Sequence, residues 1–323
     1  MENDNFGDTL IAETTSEILK KEGYVVVNHE IGGNPNDIIL LSYECDFLLF
    51  AGGGIIERYI PPLLRRFSEY VSELSIPYGV MGVSVGDFNY DHKSISLGKW
   101  VDESVFFYTR DERSRKILNK YSKTNKAKYT GDCVFLTNRL NSYTNYNRDK
   151  VGINIRDLPY TDLTGELDWN RILEIMDIIK SDVIIMDSSD DIRHILIEQK
   201  EIDKYYDYIK KNKSEKVEQI IDEINECGII VAMRYHVILI AALLGIPTVA
   251  IKYCPKVETL VEQLELHDIS VDINDYNGIL KKYDYLCNHY KEYKEKLLTN
   301  VKIMKKRVVD MYEEVLVKLK ETM

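Results

Sequence analysis

The sequence predicts an α/β protein with two parallel sheets, on three observations. Short apolar runs suited to buried strands alternate along the chain with segments of helical period, the pattern of parallel sheets with helices on both faces. At 323 residues the chain holds two domains of ordinary size, each with a core that needs no covalent staple. Between Tyr121 and Asp149 the pattern loosens into Lys, Asn, Thr and Tyr, with Asn141–Asn147 (NSYTNYN) the most linker-like stretch. We therefore expect a first domain over residues 1–145, a second over 146–272 and a helical segment over 273–323.

In the first domain, Thr9 to Lys21 has helical spacing and Tyr24 to Asn28 reads as a strand. Asp46 to Ala51 (DFLLFA) is a buried strand that runs into Gly52-Gly53-Gly54, and Pro61 to Leu74 is a helix with proline in its first turn. Tyr78 to Val85 and Ser104 to Tyr108 are strands, and Glu112 to Tyr121 is a helix. In the second domain, Lys150 to Ile155 is a strand ending at Arg156-Asp157. A helix from Trp169 to Lys180, a strand from Asp182 to Met186, and helices over Asp191 to Gln199 and Ser214 to Cys227 follow. Gly228 to Met233 is apolar and β-branched enough for a buried parallel strand. Val237 to Leu244 is an all-apolar helix closed by Gly245, and Thr248 to Tyr253 is the next strand. From Tyr276 onward Val301, Met304, Val308, Met311, Val315 and Leu319 mark an amphipathic helix, expected to pack back across both domains. Strand order does not follow from the sequence.

Bulk properties exclude more than they assign. With 53 acidic against 42 basic residues the formal charge is −11, which disfavours nucleic acid and anionic lipid as nonspecific partners. The five cysteines include no C-x-x-C pair, so neither a zinc knuckle nor a redox dithiol is indicated. No charged start with an apolar core opens the chain, and no apolar run approaches the roughly 18 residues that cross a bilayer. A cytoplasmic protein with reduced thiols is expected. His29, His92, His194, His267 and His289 lack metal-ligand spacing, and no metal site is assigned.

The candidate site residues follow from where strands end. Ligands of open α/β sheets collect outside the carboxyl ends of the strands. Here one strand ends at Arg234-Tyr235-His236 and the next at Tyr253-Cys254-Pro255-Lys256. An arginine fork matches a carboxylate or phosphate, a lysine supplies a movable charge, and histidine exchanges a proton near neutral pH. The bland alternative pairs Arg234 with a structural carboxylate and uses His236 as a helix cap. Arg110 and Arg156 also close strands, each with an aspartate beside it that fits a capping or ion-pair role equally. Gly53 and Gly54 let backbone N–H groups approach a ligand, or simply form a tight turn. Asp8, after Gly7 and before a helix, suits an N-cap. Asp187-Ser188-Ser189-Asp190-Asp191 fits a metal-binding D-x-D only loosely, and a helix cap explains it more cheaply.

These segments, in order, resemble the polysaccharide pyruvyltransferase family. The likeness is most specific in Arg234-Tyr235-His236, Gly245-Ile246-Pro247 and Tyr253-Cys254-Pro255-Lys256-Val257. Upstream, Asn5-Phe6-Gly7-Asp8 resembles the family's N-x-G-D loop and Asp46–Gly54 its strand into a glycine turn. Thr109–Ser114, Gly131-Asp132 and Val151–Arg156 match as well. In the family a strand precedes the N-x-G-D loop. Only four residues precede Asn5, so that strand is expected to be missing.

The resemblance implies two Rossmann-like lobes facing a cleft, as in GT-B glycosyltransferases. It implies transfer of the pyruvyl unit of phosphoenolpyruvate, a co-substrate with no further cofactor, onto a saccharide acceptor as a ketal. The acceptor belongs to a cell-surface polysaccharide or its precursor, and lipid linkage would bring the protein to the inner face of the membrane. His236 becomes the general acid and base, with Arg234 and Lys256 as the anion clamp. Arg110, Arg156, Gly53, Gly54, Asp8, Asn5 and Tyr253 become substrate-binding residues. Two alternatives stay open: a glycosyltransferase with a nucleotide-sugar donor on the same architecture, and a noncatalytic anion- or glycan-binding relative.

Overall fold

A parallel strand with helices on both faces is apolar on both faces, and Tyr78–Val83 shows this directly, every residue of it buried. The structure, a computed structural model, describes residues 6–29, 43–56, 76–86, 94–143, 149–156, 167–186, 207 and 210–323. Two compact units emerge. The first comprises Leu10–Thr137 with Met304–Met323, and the second Asp4–Thr9 with Asn138–Ile303.

The first unit is built on a parallel sheet, β1 (Leu48–Ala51), β2 (Tyr78–Val83), β3 (Phe107–Thr109) and β4 (Lys128–Tyr129), in that spatial order. Helices α1 (Phe6–Lys21), α2 (Ser94–Glu103) and α3 (Glu112–Tyr121) accompany it. Aromatic rings fill its core: Trp100 meets Phe107 edge-on at 4.9 Å and Phe50 at 5.8 Å, the geometry that ring quadrupoles favour. Asp111 caps α3 by accepting the Ser114 N–H at 2.7 Å.

The second unit holds β5 (Val151–Asn154), β6 (Ser181–Val183), β7 (Ile229–Ala232), β8 (Thr248–Lys252) and β9 (Ser270–Asp272). All neighbouring strands are parallel and their spatial order is β6-β5-β7-β8-β9. The chain therefore leaves β5 to one side and returns for β7 on the other, which makes the gap between them the topological switch point. Its helices are α4 (Trp169–Ile179), α5 (Lys213–Asn225), α6 (Tyr235–Leu243), α7 (Pro255–Gln263) and α8 (Tyr276–Asn288). Helix α6 is buried all round, with Val237 to Ala242 at most 1% exposed, which explains a sequence with no polar face. It stops at Gly245, whose φ of +69° suits a residue without Cβ.

The last helix, α9 (Tyr290–Thr322), divides its residues between the units at 303/304. All six stripe residues from Val301 to Leu319 are buried. Within the first unit, Arg307 lies over the Tyr129 ring at 4.5 Å, Lys128 pairs with Glu314 at 2.8 Å, and the Tyr312 hydroxyl donates to the Ile18 carbonyl at 3.0 Å. Within the second, Asn300 donates to the Leu264 carbonyl at 3.0 Å.

Two expectations change. Tyr24 to Asn28 is not a strand: Val25 is 96% and Val27 67% exposed, so the apolar side chains that suggested pairing face solvent. Helix α1 begins at Phe6 rather than Thr9, which makes Asp8 a first-turn residue inside the helix. Asn5, the helix expected over Pro61–Leu74, the turn at 187–191 and the helix over Asp191–Gln199 lie outside the described residues, as does most of Asn141–Asn147.

Candidate functional site

In the second unit three adjacent strands end together. Asn154 pairs with Ala232 across β5 and β7, and Ala232 with Ala250 across β7 and β8. Two residues further along, this register brings Arg156, Arg234 and Lys252 to the same edge, with strands about 4.8 Å apart. Arg156 and Arg234 thus flank the switch point, where open sheets bind ligands. Lys252 is drawn to Asp272 on β9 at 2.9 Å.

Arg234 is the N-cap of α6, with extended backbone (φ −70°, ψ 128°), and its side chain makes no capping hydrogen bond. Its N–H instead donates to Asn154 Oδ1 at 3.2 Å, while Asn154 Nδ2 donates to the Ile184 carbonyl at 3.0 Å. Asn154 is fully buried and ties β5, the segment after β6 and the Arg234 turn into one rigid corner. Sequence reasoning did not single it out, since a polar residue inside an apolar strand was the sole signal. Asn154→Ala is expected to destabilise by roughly 1–3 kcal/mol for each buried group that loses its partner. Urea unfolding measures this, and a loss below about 0.5 kcal/mol would remove Asn154 from the scaffold.

His236 is the second residue of α6, 6% exposed, and so does not cap the helix. The Tyr235 ring stands edge-on to it at 5.0 Å. The first turn of α1 borders it too: a Cβ built on Gly7 would fall 1.8 Å from His236 Nδ1. Arg156 donates from Nη1 to the Tyr253 hydroxyl at 3.4 Å, with its guanidinium 5.9 Å from that ring's centre. Lys256 lies in the first turn of α7, behind Cys254 as N-cap and Pro255 as first helical residue. The amino ends of α6 and α7, with their outward N–H groups and positive dipole ends, thus open at the edge that carries Arg156, Arg234, Tyr253 and Lys256. Such an edge can hold a small polyanion and offer it a histidine.

The remaining candidates sit in the first unit. Gly52 and Gly53 have φ of +65° and +83°, and a Cβ on Gly52 would press to 2.4 Å from Ile11. The turn is closed by Gly52 N–H donating to the Met81 carbonyl at 2.6 Å and Ser84 N–H to Gly53 at 3.0 Å. Gly54 follows, half-buried. Arg110 is 2% exposed and donates to Asp132 at 3.2 Å and to Ser84 Oγ at 2.5 Å. Asp132 also caps a 3-10 turn by accepting the Val134 N–H at 2.9 Å. Beside this pair burial pushes the Cys133 thiol well up, which leaves it neutral and unreactive. Among the described residues no group of His, Cys, Asp and Glu is placed to hold a metal, and no helix is long and apolar enough to cross a membrane.

The structure resembles MnaA of S. aureus, solved with UDP, at 10% identity over 97% of this chain and 94% of that one, with a TM-score of 0.55. It resembles the UDP-GlcNAc 2-epimerase of Neisseria meningitidis, bound to UDP-GlcNAc, at 10% identity over 94% and 96%, TM-score 0.52. A functionally uncharacterised protein from Klebsiella pneumoniae matches at 16% identity over 83% and 88%, TM-score 0.52. At these identities the likeness is one of fold, and the fold is GT-B-like. No curated protein matches the chain. The family model described as polysaccharide pyruvyl transferase matches residues 5–255, up to the first residue of α7. That span takes in the whole first sheet, every strand of the second but β9, and the ends of β5, β7 and β8, and the chain belongs to the polysaccharide pyruvyl transferase family.

Proposed function

We propose that this transferase moves the pyruvyl group of phosphoenolpyruvate onto two hydroxyls of a saccharide as a cyclic ketal. What supports the reading is that Arg156 and Arg234 end the two strands that flank the switch point, with His236 two residues beyond Arg234, in a chain of this family. Ketal formation asks for three things. The enol carbon takes a proton, C2 accepts a sugar oxygen as positive charge develops there, and phosphate leaves as a second hydroxyl closes the ring. The two hydroxyl protons end on the new methyl group and on the released phosphate.

In this reading His236 gives the proton to carbon and takes one from a hydroxyl, since an imidazole can both donate and accept a proton. Arg234 and Lys256 hold carboxylate and phosphate, Arg156 completes the clamp, and Tyr253 orients Arg156. Gly53, Gly54, Asp8 and Asn5 remain proposed substrate-binding residues, for donor or acceptor. Arg110 keeps the lesser part of holding the loop after β2, because Asp132 and Ser84 already occupy two of its nitrogens. The acceptor belongs to a polysaccharide or its precursor, which locates the reaction in envelope or exopolysaccharide synthesis.

Calorimetric titration tests the donor. Phosphoenolpyruvate is expected to bind the wild type and to bind Arg234→Ala about 10- to 150-fold more weakly, the equivalent of one charged hydrogen-bond partner at roughly 1.5–3 kcal/mol. UDP is the control arm, because the S. aureus and N. meningitidis structures carry uridine nucleotides. Binding of UDP without phosphoenolpyruvate would overturn the proposal in favour of a nucleotide-sugar donor.

A further inference from the structure

Gly7 stands in the first turn of α1, at a backbone position that needs no glycine. Its φ is outside the left-handed region, where Gly52, Gly53 and Gly245 lie. In an ordinary helical turn alanine is the better residue, because glycine loses more conformational freedom on folding. Local structure therefore gives no reason for a glycine here. The reason lies across space: a Cβ at this position would sit 1.8 Å from His236 Nδ1, 2.3 Å from Cε1 and 2.6 Å from Cγ. All three distances are far inside van der Waals contact, and the three atoms are consecutive members of the imidazole ring. With Tyr235 edge-on at 5.0 Å, His236 6% exposed and Gly7 against the ring, the imidazole is confined between α6 and the backbone of α1.

We propose that Gly7 is a positioning residue, the backbone seat that sets the orientation of the His236 imidazole. The inference rests on His236 acting in proton transfer as proposed above, and it extends that reading to a residue that touches no substrate. A proton donor works only within hydrogen-bond reach of its target, and an error of about 1 Å in a catalytic group costs on the order of 100-fold. The seat makes that placement a property of packed backbone rather than of a side chain with its own rotamers.

The test is a double-mutant cycle of Gly7→Ala with His236→Ala, read by melting temperature, by the NMR signal of the His236 ring Cε1–H, and by kcat and KM for phosphoenolpyruvate. In the His236 protein, Gly7→Ala is expected to lower Tm, move the His236 ring signal, and reduce kcat about 100-fold with KM changed less than threefold. In the His236→Ala background the same substitution is expected to raise Tm or leave it unchanged, since the space is empty and alanine favours the helix. Should Gly7→Ala alone fail to fold, folding of the double variant supports the seat. Equal Tm shifts in both backgrounds, an unmoved ring signal, or failure of both variants to fold would overturn it. Stability coupling in a protein that turns over no phosphoenolpyruvate would leave the seat standing and overturn the function proposed above instead.

Discussion

His236→Ala is expected to slow pyruvyl transfer by about 100- to 10,000-fold, the range over which a positioned general acid and base contributes. The magnitude follows from the two proton transfers asked of one group. Without it, carbon takes its proton from water and the attacking hydroxyl keeps its own. On the proposed mechanism donor affinity changes little, because there Arg234, Arg156 and Lys256, not His236, would hold the anion. The informative pair of measurements is therefore kcat with the donor Kd. A large fall in kcat at near-constant Kd marks a group used mainly in the transition state. A fall below tenfold in a folded variant would move proton transfer to another residue. Comparable losses in both quantities would make His236 a binding group.

The second large effect is on stability. Asp132→Ala is expected to destabilise the protein by about 3–5 kcal/mol, the consequence of leaving a buried charge without its partner. Asp132 is 0% exposed and Arg110 2%, so water cannot take over the lost contact without opening the unit. The carboxylate also caps the turn over Cys133–Leu136, and that hydrogen bond goes with it. The double replacement Arg110→Met with Asp132→Leu is expected to cost much less, since both charges then leave the interior together. Urea unfolding of the two variants decides it. A single-variant cost below about 1 kcal/mol would mean that Arg110 finds water or another acceptor at little cost.

Some of this protein is written locally and could be read in order. Helix α3 occupies Glu112–Tyr121 as its period and its aspartate cap predict, and the α9 stripe is buried at every position the spacing marked. Strands β1, β2, β5, β7 and β8 fall within the apolar runs that announced them. Apolar period and caps act between neighbours in sequence, so the sequence suffices. The same local rule misled at Tyr24–Asn28, where the β-branched residues pair with no strand among the described residues and Val25 stayed 96% exposed. Strand propensity describes what fits a sheet and not whether a sheet is there.

The sequence by itself determined the alternation of strands and helices, the family, and the strand ends at Arg156, Arg234 and Tyr253. The tertiary structure alone decided that β7 lies beside β5 with β6 on the far side, which turns two arginines of separate strands into one switch-point edge. It alone decided that Arg110 is held by Asp132, 22 residues away, that Asn154 anchors the Arg234 turn, and that the first turn of α1 meets His236. The reason is physical. Period and capping are set by a few adjacent residues, whereas strand order, charge pairing and steric fit depend on which distant segments the packed core brings together.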